Sequence, residues 1–281
     1  TQNSKLSPQN MAKTILITGA STGIGYATAL LFQQRGWNVV ATMRSPEKAT
    51  TLAALENVCC LRLDVTDPES IQQAIEAALE RFQAIDVLVN NAGYGLIGPF
   101  EACSLEQIER QFATNVFGLM AVTRSLLPHF RAQRSGIIMN VSSIGGHMAF
   151  PLYSLYHSTK WAVEGFSDGL QYELEPFNIR VKIIEPGPIK TDFYERSADI
   201  ASKPGLTAYD AFVAKVTAAM KNADKTGSPP EKTAQVIYQA ATDNSRRLRY
   251  PAGGNAGAVI FLRKLLPDSW FSAIIRGAMV R

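Results

Sequence analysis

The 281-residue chain has no run of eighteen apolar residues, so no bilayer-spanning helix is expected. It has only three cysteines, Cys59, Cys60 and Cys103, and they lack metal-ligand spacing. Cys59 and Cys60 fall in an apolar run that reads as a strand. Their side chains then point to opposite faces, which favours burial over redox chemistry. An odd count without a framework suits a reducing compartment, and a cytoplasmic protein is expected. Charge is also sparse, at 19% of residues, with 28 basic against 24 acidic side chains. The basic residues are scattered apart from Arg246, Arg247 and Arg249. That cluster reads as a solvated edge, and no nucleic-acid footprint is expected. There is no internal repeat, low-complexity tract or linker. Residues 1–10 are polar, lack the apolar core of a signal peptide, and read as an appended extension before Met11. No metal site is expected.

What is present is a 46% apolar fraction, enough for a substantial core. Six apolar runs, at 14–18, 38–43, 58–63, 86–90, 137–141 and 179–184, read as buried strands. Helical periodicity fills the gaps. Helix starts are signalled at Ser45-Pro46 and Asp67-Pro68, and by a capping box from Ser104 to Gln107. The last of these opens one long helix through Asn115 to about Arg131. The alternation predicts an α/β fold, a single Rossmann-type doubly wound parallel sheet flanked by helices, in one domain over 11–281. Residues 192–225 read as a substrate-loop region, followed by a helix at 231–242 and a last short strand at 248–250. The tail, 256–281, is basic, amphipathic and helical. It could touch a membrane surface or an identical subunit, and is read as packing on its own domain or capping the substrate cleft.

Ligands in such a sheet sit at the carboxyl ends of the strands. Gly19, Arg44, Asp64, Asn90, Ser143 and Pro186 fall there. The first strand runs into Gly19-x-x-x-Gly23-x-Gly25 and then a helix. Glycines let the backbone approach a diphosphate, and the helix N-terminus offers free N–H groups and positive dipole charge. The acid that would grip a ribose in an NAD-binding protein is missing from the end of the second strand. Arg44 stands there instead, and a guanidinium forks onto a 2′-phosphate. The alternative is an exposed arginine opening a loop. Thr22 occupies the loop position where a second basic residue would strengthen the NADP reading.

Tyr156-His-Ser-Thr-Lys160 puts a phenol and an ammonium one helical turn apart on one face. The ammonium stabilises the phenolate and can draw the tyrosine down from about 10 toward working pH. A phenol so tuned is a general acid or base. Ser143 could hold a substrate oxygen beside it. His157 lies about 100° off the Tyr156 face and reads as structural. Asn115 is an uncapped mid-helix asparagine, which is unfavourable without a function.

These motifs, in this order, resemble the short-chain dehydrogenase/reductase family. They are Thr18-Gly19-x-x-x-Gly23-x-Gly25, Asp64, Asn90-Asn91-Ala92-Gly93, Asn115, Ser143, Tyr156-x-x-x-Lys160 and Pro186-Gly187, and the match runs from about Thr14 to Thr191. The resemblance implies a catalytic tetrad of Asn115, Ser143, Tyr156 and Lys160. Tyr156 would exchange the proton, with Lys160 lowering its pKa and gripping the nicotinamide ribose. Ser143 would bind the substrate oxygen, and Asn115 would hold a relay water. The implied cofactor is NADP(H), with NAD(H) as the alternative. Its contacts would be Gly19, Ser21, Thr22, Gly23, Ile24, Gly25, Arg44, Asp64, Val65, Asn91, Ala92, Gly93, Tyr156, Lys160, Pro186, Gly187, Ile189 and Thr191. Asp64 would meet the adenine amine, or else simply cap the turn before Thr66. Substrate-pocket walls are expected from Tyr94, Leu96, His147, Phe150, Tyr153 and Phe193. They are mainly apolar and aromatic, which suits a hydrophobic alcohol, ketone or aldehyde of the steroid or retinol branch. A homodimer or homotetramer is implied. Other readings are a non-enzymatic dinucleotide sensor and a membrane-surface lipid enzyme.

Overall fold

The protein is described by a computed structural model over residues 12–190, 198–225 and 227–280, the side chains of 221–225 excepted. Thr191 and Phe193 lie outside the described residues.

The β-branched runs form strands buried on both faces, the pattern of a sheet covered on two sides. In chain order the elements begin β1 Thr14–Thr18, α1 Gly23–Gln34, β2 Asn38–Met43, α2 Thr50–Ala53, β3 Val58–Arg62, α3 Pro68–Phe82, β4 Val87–Asn90 and β5 Gly95–Ile97. They continue with α4 Leu105–Phe112, α5 Leu119–Gln133, β6 Gly136–Val141, α6 Ser154–Leu174, β7 Ile179–Pro186 and β8 Ala198–Ile200. The remainder is α7 Asp210–Lys225, α8 Pro230–Thr242, β9 Arg249–Ala252, α9 Ala256–Leu265 and α10 Asp268–Met279.

Seven strands form one parallel sheet in the order β3-β2-β1-β4-β6-β7-β9. The chain moves outward in one direction from β1 and in the other from β4, which makes the crevice between them the topological switch point. Strand alternation divides the core. Ile15 and Ile17 of β1 pack with Phe32 of α1 and Ile237 of α8. Leu16, between them, joins Ile71 and Ile75 of α3, Leu126 of α5 and Leu170 of α6 on the other face. Helices thus cover both faces, as the doubly wound reading requires.

The structure departs from the sequence reading in four places. The helix expected after Ser45 is a 3-10 turn, Pro46–Lys48, and the single turn α2. The long helix through Asn115 is broken by a π-helical turn, Ala113–Gly118, between α4 and α5. Gly118 in that turn lies so close to Val65 that a Cβ there would sit 2.7 Å from its Cγ2. A small parallel pair, β5 with β8, was not anticipated, since each strand has only three residues. Finally, β7 carries a buried lysine. The Lys182 ammonium donates to Ala240 O at 2.7 Å, Asp243 Oδ1 at 2.7 Å and Tyr250 Oη at 2.9 Å. The Tyr250 hydroxyl in turn donates to Asp243 Oδ2 at 2.6 Å. This triad ties β7 and β9 to the end of α8.

Candidate active site

A cleft of about 930 Å³ runs along the carboxyl ends of the strands. The expected cofactor residues Gly19, Ser21, Thr22, Gly23, Ile24, Arg44, Asp64, Val65, Asn91, Ala92, Gly93, Tyr156, Lys160, Pro186, Gly187 and Ile189 all line it. Gly25 does not. A Cβ there would lie 2.3 Å from Gly19 O and 2.6 Å from Asn91 Nδ2. Its glycine therefore allows close packing behind the loop.

The glycine loop is clamped from below. Thr18 Oγ1 accepts from the main-chain N–H groups of Asn91 and Ala92, both at 3.0 Å. Asn91 Nδ2 donates to Thr18 O and Gly19 O, both at 3.0 Å. Gly19 has φ +68° and Gly23 φ +56°, values that favour glycine. No side chain caps α1 and no acid stands in its first turn. By contrast, Asp67 caps α3 and Ser104 caps α4. The first N–H groups of α1 are thereby left for an anion at the cleft floor, a fit for a dinucleotide diphosphate.

Arg44 is exposed at the end of β2 and makes no ion pair among the described residues. Asp64 Oδ1 accepts from Thr66 N at 3.0 Å and Thr66 Oγ1 at 2.7 Å, so it caps that turn while lining the cleft. Burial would raise its carboxyl, but the Thr66 hydrogen bonds and the Arg44 and Arg62 charges hold it below its ordinary value.

At the other end of the cleft, Ser143, Tyr156 and Lys160 share the wall. Tyr156 and Lys160 come from α6, with the ammonium 5.6 Å from the Tyr156 ring centroid. Lys160 is buried and donates to Val141 O at 2.8 Å. Burial pulls its pKa down to about 8, partly opposed by Glu164 one turn further along α6. Ser143 Oγ accepts from Gly145 N at 3.0 Å, which fixes the turn after β6.

Asn115 lies just behind this wall and not on it. From the π turn its Oδ1 accepts from Tyr94 N at 3.1 Å, and its Nδ2 donates to Tyr94 O at 2.8 Å and Thr159 Oγ1 at 3.2 Å. It braces the segment after β4 against the helix that carries Tyr156 and Lys160. Single-turn π-bulges inside α-helices are frequent at functional sites.

Tyr94, Phe150 and Tyr153 line the cleft as expected, while Leu96 and His147 do not. Leu96, the middle residue of β5, is buried with Ala102 and Ala201. His147 turns away to two buried carboxylates, with Nε2 2.7 Å from Glu185 Oε1 and 3.9 Å from Glu164 Oε1. Arg249 completes this network, with Nε 3.1 Å from Glu164 Oε2 and a second nitrogen 3.1 Å from Asp168 Oδ2. Buried carboxylates need hydrogen-bond partners, and that need draws His147 away from the cleft. His157 Nδ1 accepts from Phe150 N at 3.1 Å, and burial draws its pKa down to about 4, so it stays neutral as a structural brace.

Sequence reasoning missed Met220 of α7 and Met279 of α10, which line the cleft and pack in one cluster with Leu152 and Tyr153. It also missed Arg110 and its ion-pair partner Asp199 on the cleft edge. Flexible apolar residues on helices far apart in the chain carry no local motif. Only the fold brings them together.

Residues 13–200 match the family model for short chain dehydrogenases. An uncharacterized oxidoreductase of Schizosaccharomyces pombe is 45% identical over 237 residues, covering 84% of this chain and 99% of its own length. The 3-ketodihydrosphingosine reductase of Bacteroides thetaiotaomicron is 33% identical over 265 residues, covering 93% and 96%. Among solved structures, a short-chain dehydrogenase from Streptomyces avermitilis superposes with a TM-score of 0.80 at 34% identity, over 97% of this chain and 99% of that one. ElxO with NADP bound superposes with a TM-score of 0.73 at 28% identity, over 88% and 100%. With the parallel sheet, the clamped glycine loop and the Tyr156–Lys160 turn already in view, the chain belongs to the short-chain dehydrogenase family of oxidoreductases.

Proposed function

We propose that this oxidoreductase interconverts a hydrophobic alcohol and its ketone or aldehyde, with NADP(H) preferred over NAD(H). The observation that carries the reading is the convergence of Ser143, Tyr156 and Lys160 on one cleft whose far end holds the uncapped α1 and Arg44.

When bound, the cofactor supplies or accepts the hydride. The first N–H groups of α1 would receive its diphosphate and Arg44 a 2′-phosphate. Asp64 would meet the adenine amine, and Pro186, Gly187 and Ile189 would flank the nicotinamide. The NADP-bound neighbour supports this choice. In the reducing direction the Tyr156 hydroxyl gives its proton to the carbonyl oxygen as the carbon accepts hydride. Ser143 donates a hydrogen bond to the same oxygen and stabilises the charge that develops there. Lys160 holds a positive charge beside Tyr156 and favours its phenolate, easing the proton's departure. Asn115 keeps α6 and the Tyr94 segment in register.

The substrate is read as hydrophobic because the inner wall is built from Phe150, Tyr153, Met220 and Met279. The 3-ketodihydrosphingosine reductase among its relatives is compatible with a long-chain ketone, and the steroid or retinol classes stay within the same chemistry. Self-association is part of the reading. Phe117, on the π turn, and Trp161 and Tyr172, on α6, are exposed apolar side chains suited to a helix-on-helix contact between copies.

The test is NADPH oxidation with a panel of apolar ketones and aldehydes, together with its loss in Tyr156→Phe. Cofactor binding without turnover on any carbonyl would replace the reading with that of a dinucleotide sensor.

A further inference from the structure

The two C-terminal helices have faces that the cleft does not use. On the inward side, Ala256 and Ile260 of α9 and Phe271 of α10 are buried against Ile144 and Met148 of the segment after β6. On the outward side, Phe261 and Leu265 of α9 are 66% and 67% exposed, and Trp270 and Ile274 of α10 are 66% and 49% exposed. Each outward pair is spaced i, i+4, so each forms one stripe along its helix. Leu262 adds to the α9 stripe. These five make up nearly half of the eleven large apolar side chains exposed among the described residues. They are concentrated in two short helices joined by Leu266-Pro267.

The charge along these two helices is mostly positive. From residue 256 to the end, the sequence has Arg263, Lys264, Arg276 and Arg281 against Asp268 alone. Asp268 is held by Arg263 at 2.6 Å, leaving Lys264 and Arg276 as exposed cations without an acid in their own segment. Aromatic and aliphatic side chains interleaved with lysine and arginine are the composition of a helix lying in a membrane interface.

We propose that α9 and α10 form a docking face for an anionic lipid surface. A second copy of the chain is the rival occupant. A two-fold contact presents the same patch from both sides, so it would bring two faces of like net charge together. The exposed aromatics of α6 offer a copy-to-copy contact without that penalty. The lipid face also has a geometric link to the cleft. α10 shows Trp270 and Ile274 outward, yet its last residue, Met279, lies on the cleft wall. Docking would therefore bring an apolar reservoir close to the wall of a cleft that is itself apolar at that end.

The test is co-sedimentation of the full chain with phosphatidylcholine vesicles, with and without phosphatidylglycerol, at low and high salt. Binding is expected with phosphatidylglycerol, weakened by salt. In Leu265→Glu with Trp270→Glu it is expected to be weaker by about tenfold or more, with melting temperature and NADPH affinity unchanged. Lys264→Glu with Arg276→Glu, which leaves the apolar stripe intact, is expected to lose the preference for phosphatidylglycerol. Absence of binding, or equal binding by the Glu variants, would overturn the proposal. So would a native mass in sedimentation velocity that halves in the Leu265/Trp270 variant, which would assign the face to a second copy. Vesicle binding is read without turnover, so its failure leaves the oxidoreductase reading standing.

Discussion

Two lysines stand beside two tyrosines in this fold. Lys182 is 0% exposed with its ammonium 5.0 Å from the Tyr250 ring, and Lys160 is 8% exposed with its ammonium 5.6 Å from the Tyr156 ring. Their surroundings differ. All three donors of the Lys182 ammonium have an oxygen, from Ala240, Asp243 and Tyr250. Lys160 has a single described hydrogen bond, to Val141 O, and it faces the cleft. A saturated buried ammonium holds strands together. An unsaturated one is destabilised by burial and keeps donors for a ligand. The same residue type is structural or functional according to how many partners the fold supplies.

The largest effect should come from breaking the saturated site. Lys182→Met leaves Asp243 and the Tyr250 hydroxyl without their cation and should cost about 3–5 kcal/mol in urea unfolding. NADPH affinity of the folded fraction should not change. Lys160→Met should do the reverse. Urea unfolding should show stability unchanged or slightly raised, because a poorly paired buried charge is removed. Turnover should fall by about 10²-fold or more as Tyr156 loses its neighbouring charge, read as kcat with a saturating apolar ketone. If both variants lost stability equally, the distinction between the two lysines would fail.

Acidity separates them further. The Lys160 pKa, lowered by burial to about 8, lies below the unfolded value of about 10.4. Between these limits the unfolded chain binds more protons. The cost of burying the charge is therefore felt in full below pH 8 and relieved as pH rises toward 10. The difference in unfolding free energy, wild type minus Lys160→Met, should rise across that window. Asp243 behaves oppositely. Its burial would raise the carboxyl, but hydrogen bonds from Lys182 and Tyr250 hold it well below the usual carboxylate range. Its contribution is present at neutral pH and is lost as pH falls below about 4 toward the folded value. Acid titration of stability should be flatter in Asp243→Asn.

The contrast also marks what a sequence can disclose. β1 and β2 emerge with the residue limits read from β-branched runs, because those runs are buried on both faces and tolerate little else. Tyr156 and Lys160 were legible because helical spacing alone unites them. Lys182 and Asp243 are 61 residues apart, and only the fold unites them. The lysine inside an apolar strand was the available signal, a buried cation in want of an acid. The π turn at Asn115 had no local signature: its close neighbour Val65 lies about fifty residues earlier in the chain. His147 was misjudged because its partners, Glu164 and Glu185, come from two other elements. Leu96 was misjudged because β5 pairs with a strand about a hundred residues further along the chain, which turns its side chain inward.

Arg44 sharpens the comparison from the other side, as an exposed cation with no ion pair among the described residues. Water solvates its guanidinium and its attraction to Asp64 is weak, so its removal should change stability by less than about 1 kcal/mol. Whatever it contributes must appear on binding. A 2′-phosphate meeting an exposed guanidinium forms a charge-assisted contact weakened by solvent and salt. The expected effect is therefore the smallest of the set, about a tenfold loss in NADPH affinity for Arg44→Ala, with NADH affinity unchanged. Fluorescence titration of both cofactors against both proteins measures it, and raising the salt should shrink the wild-type preference toward that of the variant. An unchanged ratio in Arg44→Ala would mean that the end of β2 does not choose the cofactor.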